Sequence, residues 1–176
     1  MIQQPIRFTI RGNNMNRKMR RFRQLLDDGQ NVEILKKNTN GTLALIDDEG
    51  FPYALPISYV FDDENRKIYF HSARAGHKID AIRSNPNASF AIVDQDEIIP
   101  EKFTTCFKSV ICFGTIQIVK DQSEIIAALD MLAQKYSPNV SSILRKEEIN
   151  GSLKRVAVLE FDIQKMSGKQ AIELTK

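Results

Sequence analysis

The sequence predicts a mainly β fold to which helices are added, a small and mostly antiparallel barrel of six strands. Six runs rich in β-branched and aromatic residues, separated by turn-forming residues, lie between positions 42 and 163. Only two or three helical segments interrupt these runs, without the regular strand–helix alternation of a parallel sheet. With 176 residues, of which 42% are hydrophobic, the chain is long enough to form one globular domain around such a barrel.

The chain begins with a basic arm, which we expect to extend to about residue 38 and to include a short helix over residues 31–37. A net charge of +3 is too mild to favour nucleic acid, so we interpret the arm as solvated, or as lying over the barrel or a partner subunit. A nucleic-acid-binding arm is the alternative. In both interpretations, the basic residues of the arm are Arg11, Arg17, Lys18, Arg20, Arg21 and Arg23.

Three strands of a β-meander follow the arm. The first covers residues 42–46, the second 53–61 and the third 67–71, with turns at 47–50 and 62–65. Proline cannot donate a hydrogen bond to a β-ladder. Because prolines occupy positions 52 and 56, the middle strand needs either a bulge or an edge position.

The segment from Ile68 to Pro86 predicts a strand, a short turn and a helix, an arrangement that often binds anions. Ser72 can cap the helix, and the final proline stops it. Free N–H groups and the helix dipole favour a phosphate at the helix start, where His77 and Lys78 can add side-chain donors. The spacing alone favours a surface helix whose Arg74 and Lys78 are solvated, and the sequence around this segment is what favours an anion site.

The second half of the chain predicts three more strands, over residues 88–94, 106–120 and 154–163, with a bend at Gly114 in the second of them. A helix is predicted to begin after Asp121, because an aspartate followed three residues later by Glu124 resembles a capping box. The same helix is predicted to end at residue 137. Its apolar stripe predicts packing against the core. A further short helix is predicted over residues 140–146, and a short tail from about residue 165 to the end.

Two cysteines and two histidines limit the chemistry that the chain can support. Cys106 and Cys112 would lie about 20 Å apart on one strand at ~3.3 Å per residue, so they cannot pair within it. Free thiols, no secretory signal pattern and no apolar run of ~18 residues predict a cytoplasmic protein without a membrane partner. We expect no metal site, because no zinc-type spacing occurs.

Four blocks of the sequence, taken in order, carry a resemblance to a known family. They are Arg20-Arg21, then Gly41–Tyr59, then Ile68–Ala73 with Gly76-His77-Lys78, and then Ser109–Gly114. Together they resemble the FMN-binding split-barrel flavoproteins, in the branch related to pyridoxamine 5′-phosphate oxidase that contains the nitroimidazole-resistance proteins. The resemblance covers nearly the whole chain.

This resemblance implies a split barrel and a homodimer with FMN at each subunit interface. It implies that Leu55, Pro56, Ile57 and Ser58 offer backbone contacts to the isoalloxazine ring. Gly76, His77 and Lys78, preceded by Ser72, fall where the family grips the phosphate, although the pyridoxamine oxidases carry a Ser-Arg-Lys run there. His71 matches a histidine that the nitroimidazole-resistance proteins place beside the flavin, and it is either the catalytic proton donor or a structural residue.

The resulting expectation is an FMN-dependent oxidoreductase that reduces a small organic electrophile, such as a nitroimidazole or a related nitro compound, with NAD(P)H or another reductant. The cofactor would supply the redox chemistry, and the protein would set orientation and access. The alternative is a binding module of the same fold that holds a flavin or haem without turnover. Neither hypothesis requires a nucleic-acid partner.

Overall fold

The structure is a computed structural model that describes residues 18–175. One antiparallel sheet of seven strands is its main element. The strands are β1 (Asn40–Ile46), β2 (Pro52–Ser58), β3 (Val60–Asp62), β4 (Lys67–Ala73), β5 (Asn87–Ile99), β6 (Thr104–Ile118) and β7 (Val156–Gln170). The helices are α1 (Asp28–Lys37), α2 (His77–Ser84), α3 (Gln122–Tyr136) and α4 (Ser142–Ser152), and three-residue 3₁₀ turns occupy Phe22–Gln24, Pro100–Lys102 and Ile172–Leu174.

The sheet has the order β2-β1-β5-β6-β7-β4-β3, so two strands that are consecutive in the chain occupy its opposite edges. The single residue between them, Tyr59, makes the connection. The predicted strand over residues 53–61 is therefore two strands, because its first half pairs with β1 and its second half pairs with β4. This division raises the count from six strands to seven, and the mainly β, antiparallel split-barrel class is confirmed.

Two hydrophobic clusters lie on opposite faces of the sheet. Inside the curved sheet, the ring of Phe90 packs edge-on against Tyr59 and Phe70, with ring centroids 4.9 and 5.2 Å apart. Residues from α1 and α2 close this cluster, including Leu35 and Ile79. The second cluster joins the outer face to α3 and α4 and contains Val60, Val119, Ala128, Leu129, Leu132, Ile149 and Val158.

The helix starts follow from local capping. Asp27 and Gln30 form a reciprocal capping box, so α1 begins three residues before its predicted start. Asp121 accepts hydrogen bonds from the N–H groups of Ser123 and Glu124, which confirms the predicted start of α3. Both helices begin where an aspartate can replace the missing intrahelical acceptors.

β7 extends seven residues beyond the predicted end at Ile163, because a bulge reverses its alternation. Phe113 pairs with Lys165 and Gly114 pairs with Ile163, which leaves Gln164 outside the register. The inward-facing position that follows Ile163 is therefore Met166 instead of residue 165. Both Ile163 and Met166 pack on the barrel core. A Cβ atom on Gly114 would clash with the carbonyl oxygen of Asp162, so glycine is needed at this crossing.

Both cysteines are free and buried, as the sequence predicts. Burial raises the pKa of the Cys112 thiol to about 12. Among the described residues, no helix is long and apolar enough to cross a membrane. Arg11 and Arg17 of the predicted basic arm lie outside the described residues, and Lys18, Arg20, Arg21 and Arg23 are exposed.

Candidate functional site

The β1–β2 turn is organised by the carboxylate of Asp47. Its Oδ1 accepts hydrogen bonds from the backbone N–H groups of Phe51 at 2.7 Å and Glu49 at 3.1 Å. Its Oδ2 lies 3.2 Å from Nε2 of His77, the first residue of α2. Asp47 thus joins the turn to the start of a helix 30 residues later in the chain.

Electrostatics keep the Asp47 carboxylate ionised. Burial of the carboxylate opposes ionisation, since its side chain is only 10% exposed. The hydrogen bonds from the Phe51 N–H and from His77 outweigh this effect and hold the pKa of Asp47 below its usual value. An ionised carboxylate can only accept hydrogen bonds, so the proton in its contact with His77 belongs to the imidazole.

The His77 ring is fixed from two sides. Besides its contact with Asp47, it stacks on the ring of Tyr53 in β2, with centroids 4.2 Å apart and an interplanar angle of 21°. The side chain is half exposed. With Nε2 engaged, Nδ1 is the ring nitrogen left for a ligand.

The start of α2 has features of an anion site. Gly76 is the N-cap with φ 119°, a conformation that favours glycine, and no side chain from the described part of the chain caps the helix. Its carbonyl accepts from the N–H groups of Ile79 and Asp80, so those of His77 and Lys78 precede the first helical hydrogen bond. The prediction that Ser72 caps this helix is wrong, because Ser72 lies within β4.

Lys78 is the cation best placed to complete this site. It is half-buried, and burial lowers the pKa of its ammonium group. Across residues 18–175 it has no ion pair and no side-chain hydrogen bond. A partly buried cation without a counter-charge favours the arrival of an anion, because a charge-assisted hydrogen bond would offset its desolvation.

His71 and Ser72 lie on opposite faces of β4. Ser72 lies on the same face of β4 as Phe70, which is fully buried in the barrel core, whereas His71 is exposed on the other face and lies opposite Val158 of β7. In the described part of the chain, His71 makes no side-chain hydrogen bond. The two side chains therefore do not converge on one point.

β2 lies at the edge of the sheet and, among the strands of residues 18–175, is paired only with β1. This settles the predicted choice between a bulge and an edge: the register with β1 is regular, and Pro56 lies on an edge strand. Leu55 and Ile57 pack against the barrel core, and Pro56 is exposed between them. From Tyr53, beside His77, to Ser58 the strand extends about 16 Å at ~3.3 Å per residue.

The far end of β2 is held by α3. The hydroxyl of Tyr136 contacts both backbone groups of Tyr59, and the ammonium of Lys135 lies 4.1 Å from the centroid of the Tyr59 ring. The same ammonium donates to the carbonyl of Asn38 at 2.6 Å. Burial lowers the pKa of Lys135 to about 8. The position of Ser58 is thus fixed by the helix.

A separate polar network surrounds Glu160 on β7, which is 6% exposed. Its carboxylate accepts from Nζ of Lys67 at 2.9 Å, Nε2 of Gln117 at 3.0 Å and the Tyr69 hydroxyl at 3.3 Å. These contacts satisfy the buried carboxylate and assign it a structural role. Within residues 18–175, no cluster of His, Cys, Asp and Glu could hold a metal ion.

The structure thus brings together part of the predicted site. Gly76, His77 and Lys78 form the start of α2, and Leu55 to Ser58 continue along β2 from it. Sequence reasoning missed Asp47 and Tyr53. Their positions indicate only a turn and a strand, and nothing in the local sequence signals a contact with His77.

Comparisons with known proteins extend these observations. Many solved structures share the fold, whereas no curated protein matches the chain at a significant level. A protein from Bacteroides thetaiotaomicron described as a candidate 5-nitroimidazole antibiotic resistance protein is 21% identical, with a TM-score of 0.69 over 83% of this chain and 86% of that one. A FAD-binding protein from Mesorhizobium loti is 21% identical, with a TM-score of 0.60 over 84% of this chain and 97% of that one.

A FAD- and haem-binding protein from Mycobacterium smegmatis is 19% identical, with a TM-score of 0.68 over 85% of this chain and 74% of that one. The sequence profile described as pyridoxamine 5′-phosphate oxidase matches residues 27–170, which is most of the chain and includes all seven strands. The chain therefore belongs to the pyridoxamine 5′-phosphate oxidase family.

Proposed function

We propose that the protein is an FMN-dependent oxidoreductase that reduces a small organic electrophile, with nitro compounds such as nitroimidazoles as the first class to test. The observation that carries the proposal is the half-buried Lys78 at the open start of α2, which has no ion-pair partner within residues 18–175. Support also comes from the flavin-binding and nitroimidazole-resistance proteins that share the fold.

The residues of the site fit a flavin mononucleotide. A phosphate would take the N–H groups of His77 and Lys78 and the Lys78 ammonium, and a Cβ atom built on Gly76 meets no atom within 4 Å, so the approach is open. Unpaired backbone groups of the β2 edge from Leu55 to Ser58 would face the polar rim of the ring system. The bound flavin would supply the electron-transfer chemistry.

His71 is the proposed proton donor to the reduced substrate. It is exposed, and histidine exchanges protons near neutral pH. It also lies on the opposite face of β4 from Ser72, so a substrate would have to reach it from outside the barrel core. We therefore place the substrate on the outer face of β4.

The proposal includes a homodimer with the flavin at the subunit interface. Support comes from an apolar strip on the outer face of β5 and β6, where Val93, Ile111 and Phe113 are 65%, 40% and 37% exposed. Ala91 lies directly opposite Ile111 in the sheet and continues this strip. A second copy could bury these side chains.

The test is the visible absorption spectrum of the purified protein, recorded again after addition of FMN and removal of the excess by gel filtration. Retained bands near about 370 and 450 nm are expected for bound flavin. NAD(P)H should then bleach these bands, and a nitroimidazole should restore them with consumption of the compound. A protein that stays colourless after FMN addition would overturn the proposal.

A second candidate is a binding protein that holds haem or flavin without turnover. The FAD- and haem-binding protein of M. smegmatis, which shares the fold, favours its inclusion. In the same experiment, this candidate predicts a sharp Soret band, or retained flavin bands that no reductant and acceptor pair can cycle.

A further inference from the structure

His77 is held in a way that restricts which of its forms can bind an anion. Its Nε2 lies 3.2 Å from an ionised carboxylate oxygen of Asp47, which can only accept. Nε2 therefore carries a proton whether the ring is neutral or charged. In the neutral ring, Nδ1 is then a bare acceptor, and only the imidazolium has a second N–H to donate.

We propose that anion binding at the start of α2 is coupled to the protonation of His77, and that Asp47 imposes this coupling by holding the proton of the neutral ring on Nε2. The phosphate class of ligand rests on the proposed function. A neutral His77 would present a lone pair to the phosphate, whereas the imidazolium would present a donor and a positive charge.

Other aromatic and charged groups near His77 do not replace the coupling that Asp47 imposes. Tyr53 contributes its ring face from β2, and Asp48 and Glu49 are exposed members of the same turn as Asp47. On α2, the carboxylate of Asp80 lies 3.5 Å from Arg83. Lys78 is the remaining cation of the first turn, so it attracts the ligand independently of His77, whose protonation adds a further contribution.

The first test compares the dissociation constant of FMN for the wild-type protein and His77→Gln between about pH 5.5 and 8.5, a range that spans ordinary histidine titration. Glutamine keeps a donor but cannot become charged. The phosphate itself titrates near pH ~6. Lys78 and the backbone donors favour the dianion in both proteins, so the fraction of dianion affects the two constants alike and cancels in their ratio. We expect His77→Gln to bind about tenfold more weakly at the low end and nearly equally at the high end.

Asp47→Asn tests the role assigned to Asp47. Asparagine keeps an oxygen for the Phe51 N–H, so the turn is preserved, but it no longer requires a proton on Nε2. The pH dependence of FMN binding should therefore become flatter. Arg83→Gln removes a cation from the last turn of the same helix and is the matched control, for which the wild-type pH dependence is expected. A ratio for His77→Gln that does not change with pH would overturn the inference.

Nuclear magnetic resonance separates this inference from the proposed function. The chain contains two histidines, so the imidazole spectrum has two spin systems, and His77→Gln assigns them. Saturating inorganic phosphate should move the titration midpoint of His77 to higher pH and leave that of His71 in place, and saturating FMN should move the midpoint of His77 in the same direction.

Each outcome is decisive. If FMN binds and the His77 midpoint does not move, the inference is overturned and the proposed cofactor stands. If inorganic phosphate moves the midpoint but FMN is not retained, the inference stands and the proposed function is overturned. If neither ligand binds, both are overturned.

Discussion

The hydroxyl of Tyr136 accepts a hydrogen bond from the backbone N–H of Tyr59 at 2.9 Å and lies 2.8 Å from the carbonyl oxygen of the same residue. The backbone N–H and the backbone carbonyl of Tyr59, the residue between β2 and β3, thus both contact one side chain from α3. Tyr59 itself is fully buried, and its own hydroxyl donates to the carbonyl of Leu35 at 2.7 Å.

We therefore expect Tyr136→Phe to lower the free energy of unfolding by about 1–3 kcal/mol, because a buried N–H loses its acceptor. Urea denaturation at neutral pH measures this change. Tyr53→Phe is the control, since the Tyr53 hydroxyl has no hydrogen-bond partner among the described residues, and we expect its effect to stay within ~0.5 kcal/mol. Equal losses for the two variants would show that the Tyr136 contact does not fix the bend.

Lys78→Ala should weaken FMN binding by about 10- to 100-fold, because it removes a charge-assisted hydrogen bond to the phosphate and leaves the backbone donors. Fluorescence titration of FMN measures the dissociation constant, and the thermal melting curve checks that the fold is intact. Lys36→Ala, which removes an exposed lysine paired with Asp63, should leave the affinity unchanged. An unaltered dissociation constant for Lys78→Ala would remove this residue from the site.

His71→Ala separates a catalytic from a structural histidine. If His71 donates a proton to the substrate, FMN affinity should stay within about twofold, while the reduction rate falls by roughly 100-fold or more. Steady-state turnover with reductant and a nitro compound gives the rate, and the flavin spectrum confirms equal loading. Unchanged turnover and binding together would make His71 structural.

Glu160 makes stability depend on pH. Burial opposes its ionisation, but the hydrogen bonds from Lys67 and Gln117 prevail, so the pKa of Glu160 in the folded state lies below its usual value. The contribution of such a group is present above the pKa of the unfolded chain and is lost as the pH falls through the folded value. Between about pH 6 and pH 3, the free energy of unfolding should fall less for Glu160→Gln than for the wild-type protein. Parallel losses in the two proteins would contradict this assignment.

Local signals in the sequence predicted much of the fold. The aspartate cap at position 121 and the strand–turn–helix before Pro86 depend on neighbouring residues, and both are present in the structure. The prolines of the middle strand left a bulge and an edge position open, and the structure has the edge. The second part of β7 escaped prediction because the bulge at Gln164 reverses the inward and outward alternation. If the inward and outward alternation is assumed to continue without a break, the residues beyond Ile163 do not fit the pattern of the same strand.

The candidate site was predictable only in part, for a related reason. Gly76 to Lys78 lie together in the chain, so their pattern is visible in the sequence. The contacts of His77 with Asp47 and Tyr53 join three elements across 30 and 24 residues, and they depend on how α2 packs against the β1–β2 turn. The division of residues 53–61 at Tyr59 likewise depends on α3, which begins more than 60 residues later.

The connection through Tyr59 also bears on aggregation. An open sheet has two edges at which a foreign strand can add. Here the two edges are joined through Tyr59, whose backbone N–H and carbonyl are both engaged by the Tyr136 hydroxyl, so the bend offers no free backbone group to an added strand. The rest of the β2 edge carries Pro52 and Pro56, which lack the N–H that an added strand needs. The features that divide one predicted strand into two therefore also protect the sheet from pairing with other chains.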